Sequence, residues 1–409
     1  MESLAKRAAN LDLSDPLASY RERFIVEDDL VYLDGNSLGR VPIDTPNRIR
    51  DVVEDQWAHE LVLGWDHWLH SGTRIGDLLA PLIGASKGEV AICDQTSINL
   101  FKLASAGLKM SGRKNVVTDT GNFPSDRYVL ESIARATGGR LIIAPEDPSS
   151  HELAALLDDT VGLVSLSHVA YRSGAMVDGG EITRVVHGHG ALMLWDLAHS
   201  VGSVPVHLGD WEADLAVGCT YKYLNAGPGA PALLYVRQDL QERLEQPIKG
   251  WFGHVDQFGF AEKWEAANDI RRFLVGTPPI VSMVGVEVGV SLTTEAGIDA
   301  LRSKSIMLTE LFIEAAASLS THAVEIITPL ERSKRGSHVT VRHEHAFQIA
   351  AALRDRGVIP DFRAPDLIRF GFTPLYTTFD ETIRAAEILR DILESRSYDA
   401  FPITRRGVT

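Results

Sequence analysis

The chain reads as an α/β protein: a large domain built on a mostly parallel seven-stranded sheet, followed by a smaller α+β domain. Three observations predict this. Short apolar runs alternate with helical segments from Glu89 to Val236. Polar residues gather just beyond the ends of those runs, where open α/β sheets bind ligands. After Pro278-Pro279 the alternation stops and two long helical segments begin.

In chain order, the N-terminal residues read as a helix that breaks at Asp15-Pro16. Val31–Asp34 is a short strand and Gly35–Gly39 a turn. Asp44-Thr-Pro-Asn opens a long helix, with Asp44 or Thr45 as its N-cap and Pro46 in the first turn. The seven sheet strands are Glu89–Cys93, Asn115–Thr118, Arg140–Ala144, Gly162–Leu166, Ala191–Trp195, Leu215–Gly218 and Ala232–Val236. Helices are expected at Ser97–Lys109 and Asp126–Thr137 between them. Beyond them, helices Ile280–Gly297 and Leu301–Ser318 lead to strands near Val324 and Val339, then helices His345–Arg356 and Asp380–Glu394. The expected division is a large domain over 50–285, with 1–49 and 286–409 together forming the smaller one.

Composition narrows the function classes. The chain has 409 residues, 45% of them hydrophobic, enough for a large core. Lys and Arg number 40 against 55 Asp and Glu, a net charge of −15. That balance, without a basic run, argues against nucleic acid and anionic membranes as partners. Cys93 and Cys219 are the only cysteines, which excludes a disulfide framework and points to a reduced, cytoplasmic compartment. No signal-peptide pattern and no membrane-spanning run of apolar residues is expected.

Two strand ends carry the chemistry. Trp195-Asp196 ends one apolar strand, and Tyr221-Lys222-Tyr223 follows another, before a Gly-Pro-Gly turn. A carboxylate for a pyridinium nitrogen and an amine for an aldehyde are the two groups that a pyridoxal phosphate (PLP) enzyme needs. Each has a plainer reading: Asp196 as a helix N-cap, Lys222 as a lysine reaching solvent. Their pairing favours the cofactor. His199, three residues past Asp196, would face the same side of a first helical turn, or be a satisfied core histidine. Thr96-Ser97 opens a helix and suits phosphate, though simple capping explains it equally. Phe123 is placed to stack on a ring or to staple the next helix, which Asp126 would N-cap. Arg369, among apolar residues, needs an anion: a substrate carboxylate or an internal partner. His187 and His189 lack metal-ligand spacing, and no metal is expected.

Several motifs in order resemble the kynureninase family, PLP enzymes of fold type I, over nearly the whole chain. They include Leu33–Gly39, Asp94–Lys102, Asn122–Asp126, Ser167–Gly174, Trp195–Gly202, Thr220–Gly229, Gly250–His254, Gly276–Pro279, Asp361–Pro365 and Arg369–Tyr376. The resemblance implies that Lys222 is the cofactor's imine lysine and Asp196 the partner of its ring nitrogen, supported by His199. Phe123 would stack on the ring with Asp126 beside it. Thr96, Ser97, Ser167 and Tyr221 would line the phosphate or ring oxygen. Trp251 and Thr277 would reach the phosphate of a neighbouring subunit, so the working form would be a homodimer. Arg369 would bind the substrate's α-carboxylate, with Asn36 and Ser37 nearby, and Tyr221 would relay protons. The implied reaction is hydrolysis of kynurenine or 3-hydroxykynurenine in tryptophan catabolism, to alanine and an anthranilate. The loop Gly64–His70 and Phe252, where the family frequently has a second Trp, depart from the pattern and leave the choice of ring open. Other enzymes of this fold are the alternative. A desulfurase would need a cysteine on a C-terminal loop, which this chain lacks; an aminotransferase would need a keto-acid acceptor.

Overall fold

The computed structural model describes residues 2–27 and 29–402. After the short strand β1 (Val31–Tyr32), seven strands build the large sheet: β2 (Val90–Cys93), β3 (Asn115–Asp119), β4 (Leu141–Ala144), β5 (Val161–Ser167), β6 (Leu192–Asp196), β7 (Leu215–Gly218) and β8 (Ala232–Val236). Five more strands follow: β9 (Glu325–Ile326), β10 (His338–Arg342), β11 (Val358–Ile359), β12 (Asp361–Arg363) and β13 (Leu367–Gly371).

The large sheet runs β2-β8-β7-β6-β5-β3-β4. Neighbours from β7 to β4 are parallel, whereas β8 is antiparallel to both β2 and β7. The connection from Gly218 to Ala232 explains the exception. It contains no crossover helix, and a strand that returns directly runs antiparallel. That same connection carries Lys222. The central strands are apolar on both faces because both are covered. Val164, Met193 and Trp195 enter one apolar layer with Ile75, Leu79 and Met283, while Leu163 and Leu194 enter the other with Leu100 and Leu103.

The order β12-β13-β10-β9 forms an antiparallel sheet, and β1 pairs in parallel with β11. The N-terminal helix Glu2–Leu13 and Leu33 share a core with helices Ile298–Ala317, Ala346–Asp355 and Phe379–Ser395. The N-terminal helix and the helix Phe379–Ser395 are therefore packed together. The expected domain cuts fall inside helices Asp44–Asp51 and Ile280–Ala296. Among the described residues no single helix is long and apolar enough to cross a membrane.

Three local expectations need correction. The helix at Asp44 is capped by Ile43 and makes no side-chain cap bond; Asp44 instead pairs with Arg23 at 3.4 Å. It continues as a wider π-type coil over Val52–Trp57. The segment after Asp196 is a series of turns, not a helix, so His199 is placed by the fold and not by helical spacing. Asp126 lies within the first turn of Pro124–Ala136, with Phe123 at the cap, and is buried there.

Candidate active site

The carboxyl ends of β2, β3, β6 and β7 open onto one cavity of about 380 Å³, within the size range of small-molecule sites. Lys222 lines it, with its Nζ 3.3 Å from Nε2 of His199. Asp196 lines it from the end of β6. One Asp196 oxygen accepts from the Ala198 backbone N–H at 2.8 Å, and the other lies 3.1 Å from Ser167 Oγ. Phe123 forms part of the wall and meets Tyr171 edge to face, ring centroids 5.1 Å apart. From the smaller sheet, Arg369 reaches the cavity from β13.

Burial sets the protonation of this site. It pushes the Asp196 carboxyl up, against the pull of Lys222. Asp126 goes further up, through burial and then the charge of Asp196, and one of its oxygens has no hydrogen-bond partner. Burial and the cation of Lys222 drive His199 well below its usual value, so it is neutral beside the amine. Tyr221 is held above the ordinary phenol range by Cys219 and by burial, and stays protonated at neutral pH.

These features fit PLP. Asp196 is buried and raised by that burial, with an orphaned Asp126 oxygen in the same cavity, and a pyridinium N–H beside Asp196 would offset the burial of its charged form. The helix Thr96–Ser111 begins at the cavity, and Gln95 at its cap makes no side-chain bond. Its first backbone N–H groups and the hydroxyls of Thr96 and Ser97 face the cavity and would suit the cofactor's phosphate.

The structure brings Thr96, Ser97, Phe123, Asp126, Asp196, His199, Tyr221, Lys222, Arg369, Asn36 and Ser37 to this one cavity. Ser167 sits a layer behind, bonding Asn122 Oδ1 at 2.9 Å and Asp196, and orients that carboxylate. Trp251 and Thr277 lie outside it. Thr277 lines an adjoining cavity of about 240 Å³, which shares Gln95 and Gly229 with the first. Trp251 packs on Trp65 and Phe252, so the loop Gly64–His70 belongs to that second region. His187 is bonded to Asp214 at 2.7 Å, which accounts for its placement.

Sequence reasoning gave no role to Arg363, Gln95 or Tyr171, all of which line the cavity. For Arg363 a signal existed. Asp361 and Arg363 lie two apart and would share one face of any strand, whereas the hairpin that sets Asp361 opposite Arg369 shows only in the structure.

The fold and site define a class: an α/β protein of fold type I, the fold of many PLP enzymes. A cysteine desulfurase from Thermococcus onnurineus superposes with a TM-score of 0.80 at 18% identity, over 92% of this chain and 98% of that one. A C-DES variant solved with glycine covalently linked to its PLP cofactor gives 0.78 at 19% identity, over 90% and 98%. Sequence relatives narrow the class. Kynureninase from Pseudomonas fluorescens is 43% identical over 400 residues, 95% of each chain. That from Deinococcus radiodurans is 42% identical over 94% of this chain and 95% of its own. Residues 301–389 match the family described as kynureninase C-terminal domain. The chain belongs to the kynureninase family.

Proposed function

We propose that the protein hydrolyses the Cβ–Cγ bond of L-kynurenine, or of its 3-hydroxy derivative, to L-alanine and the corresponding anthranilate, with PLP as cofactor. One observation carries the reading: an amine beside a neutral histidine, a buried carboxylate and an arginine from the smaller sheet line the same cavity. When bound, PLP supplies an electron-withdrawing ring that stabilises negative charge next to the substrate nitrogen.

This chain's residues do the rest. Asp196, steadied by Ser167 and the Ala198 N–H, holds the ring nitrogen protonated. Thr96, Ser97 and the helix start behind them hold the phosphate, and Phe123 covers the ring face. Lys222 takes the proton from the substrate Cα; neutral His199 adds no competing charge beside it. Water adds at the substrate's Cγ carbonyl. When Cβ–Cγ breaks, Cγ leaves as the carboxyl of the anthranilate and Cβ keeps the electron pair, and protonated Tyr221 relays the proton that Cβ takes up. Arg369 orients the α-carboxylate, with Asn36 and Ser37 beside it.

The reading extends to a homodimer. Trp57, Leu61, Val62, Leu63, Phe258 and Phe260 are each more than half exposed, more large apolar side chains than isolated surface residues account for. Trp251 and Thr277 would serve the neighbouring subunit's phosphate. The same proposal keeps 50–285 as the PLP-binding domain and 1–49 with 286–409 as the smaller one. Two buried thiols, with no disulfide, support a cytoplasmic location.

The test pairs spectroscopy with turnover. Lys222→Ala should lose the visible absorption of the lysine-bound cofactor, lose borohydride trapping, and stop releasing anthranilate. Full activity in that variant would sink the assignment. Separate incubations with kynurenine and 3-hydroxykynurenine, without any keto acid, then identify the ring and exclude transamination.

A further inference from the structure

Arg369 has little left to offer a ligand. A guanidinium carries five N–H donors. Its Nε donates to Asp361 Oδ2 at 2.7 Å, and one Nη2 hydrogen goes to that same oxygen. Nη2 also donates to Ser37 Oγ at 3.1 Å, and Nη1 to the Tyr171 carbonyl at 2.5 Å. Four of the five are engaged within the protein. A bidentate grip on a carboxylate needs two parallel N–H groups, so Arg369 in this arrangement supplies half of one.

Arg363 stands beside it with the opposite character. Its Nε lies 2.9 Å from Asp361 Oδ2, and its Nη2 contacts Ser37 Oγ at 3.4 Å. The Nε contact is an ion pair without hydrogen-bond geometry, so of five donors only one, on Nη2, is engaged and four meet no acceptor among the described residues. The Arg363 side chain is 29% exposed where that of Arg369 is 1% exposed, and both line the cavity that holds Lys222. Charge agrees with donor geometry. Two guanidinium groups share the single carboxylate of Asp361, and one further anion would balance them. Asp34 is a poor candidate for that anion. Its carboxyl is pushed up to about 7 by burial and by Asp361, so much of it is protonated at neutral pH.

We propose that Arg363 is the second half of the carboxylate clamp, donating to the substrate's α-carboxylate alongside the single free N–H of Arg369. Asp361 and Ser37 hold the two forks at the same point. The inference rests on the amino-acid-hydrolysing reading of the site and assigns it a further substrate-binding residue.

The experiment uses PLP-loaded protein as wild type, Arg363→Gln and Arg363→Lys. KM and kcat are measured with L-kynurenine, inhibition with its decarboxylated amine analogue, and binding with L-alanine. Arg363→Gln should raise KM for L-kynurenine about 10–100-fold, the effect of losing a charged hydrogen bond, with a smaller fall in kcat. The amine analogue should inhibit it as well as wild type, L-alanine should bind more weakly in parallel, and Arg363→Lys should recover part of the loss. An unchanged KM, or equal weakening of the carboxylate-free analogue, would overturn the proposal, the latter by exposing a purely structural role. If wild type does not cleave kynurenine, the functional reading fails. The L-alanine comparison then still decides the clamp.

Discussion

At the scale of single residues, burial governs protonation well beyond the site. Asp119, at the end of β3, is 5% exposed, and its carboxyl is pushed up to about 7 by burial and by Asp147. In the unfolded chain the same group titrates near 3.9. A carboxyl raised on folding adds stability that is complete below the unfolded value and lost as pH climbs through the folded one. The window here runs from about 4 to about 7. Asp119→Asn should therefore be more stable than wild type at pH 8 by about 1–3 kcal/mol, and the gap should close toward pH 4. Denaturant unfolding at the two pH values checks the sign; a gap that widens on acidification would refute it. Residue identity alone could not reveal this, because the causes are burial first and then the approach of Asp147 across a loop. Asp196 and Lys222 were legible for the contrary reason. Asp196 ends β6 and Lys222 lies in the turn just past β7, so two apolar strands bring both to the same edge of the sheet.

Among elements, the connection that carries Lys222 is held by close backbone approaches. The Gly39 N–H donates to the Tyr221 carbonyl at 2.8 Å, and a side chain at Gly39 would collide with the Lys222 carbonyl oxygen. From the opposite direction, helix Ile280–Ala296 presents Gly285 and Gly289, one turn apart. A Cβ at either would run into the carbonyl of Ala226 or Leu224. Those atoms are backbone and cannot swing aside. Gly289→Ala should push the helix from the loop, costing about 1–3 kcal/mol, and lower kcat with the displacement of Lys222. Thermal melting and turnover measured together test this; wild-type values for both would show that the contact is not restrictive. The sequence patterns located the large-sheet strands because apolar runs bounded by turn residues mark buried strands. They did not disclose the direction of β8, which follows from a missing helix, nor strands as short as β11 and β12. The Asp361–Arg369 pairing was hidden as well, because register across a hairpin is a property of two strands together.

For the whole molecule, two cavities adjoin and share Gln95 and Gly229. One holds Lys222; the other holds Thr277, beside the loop of Trp251. Within one chain, Thr277 and Trp251 do not line the Lys222 cavity. A two-fold dimer makes such residues useful, because each surface patch meets its own copy and every contact occurs twice. If sites are shared, defects on different chains complement each other. Lys222→Ala spoils the site in its own chain, while a Trp251→Ala/Thr277→Ala chain spoils the site of its partner. In the mixed dimer both defects then fall on one site and leave the other intact. Equal mixing of the two variants under subunit exchange makes half the dimers mixed, each with one working site, so about one quarter of wild-type activity should return. Measured at limiting PLP, each variant alone should be nearly inactive. Were Trp251 and Thr277 to serve their own chain, the mixed dimer would carry one defect in each site and no activity would return.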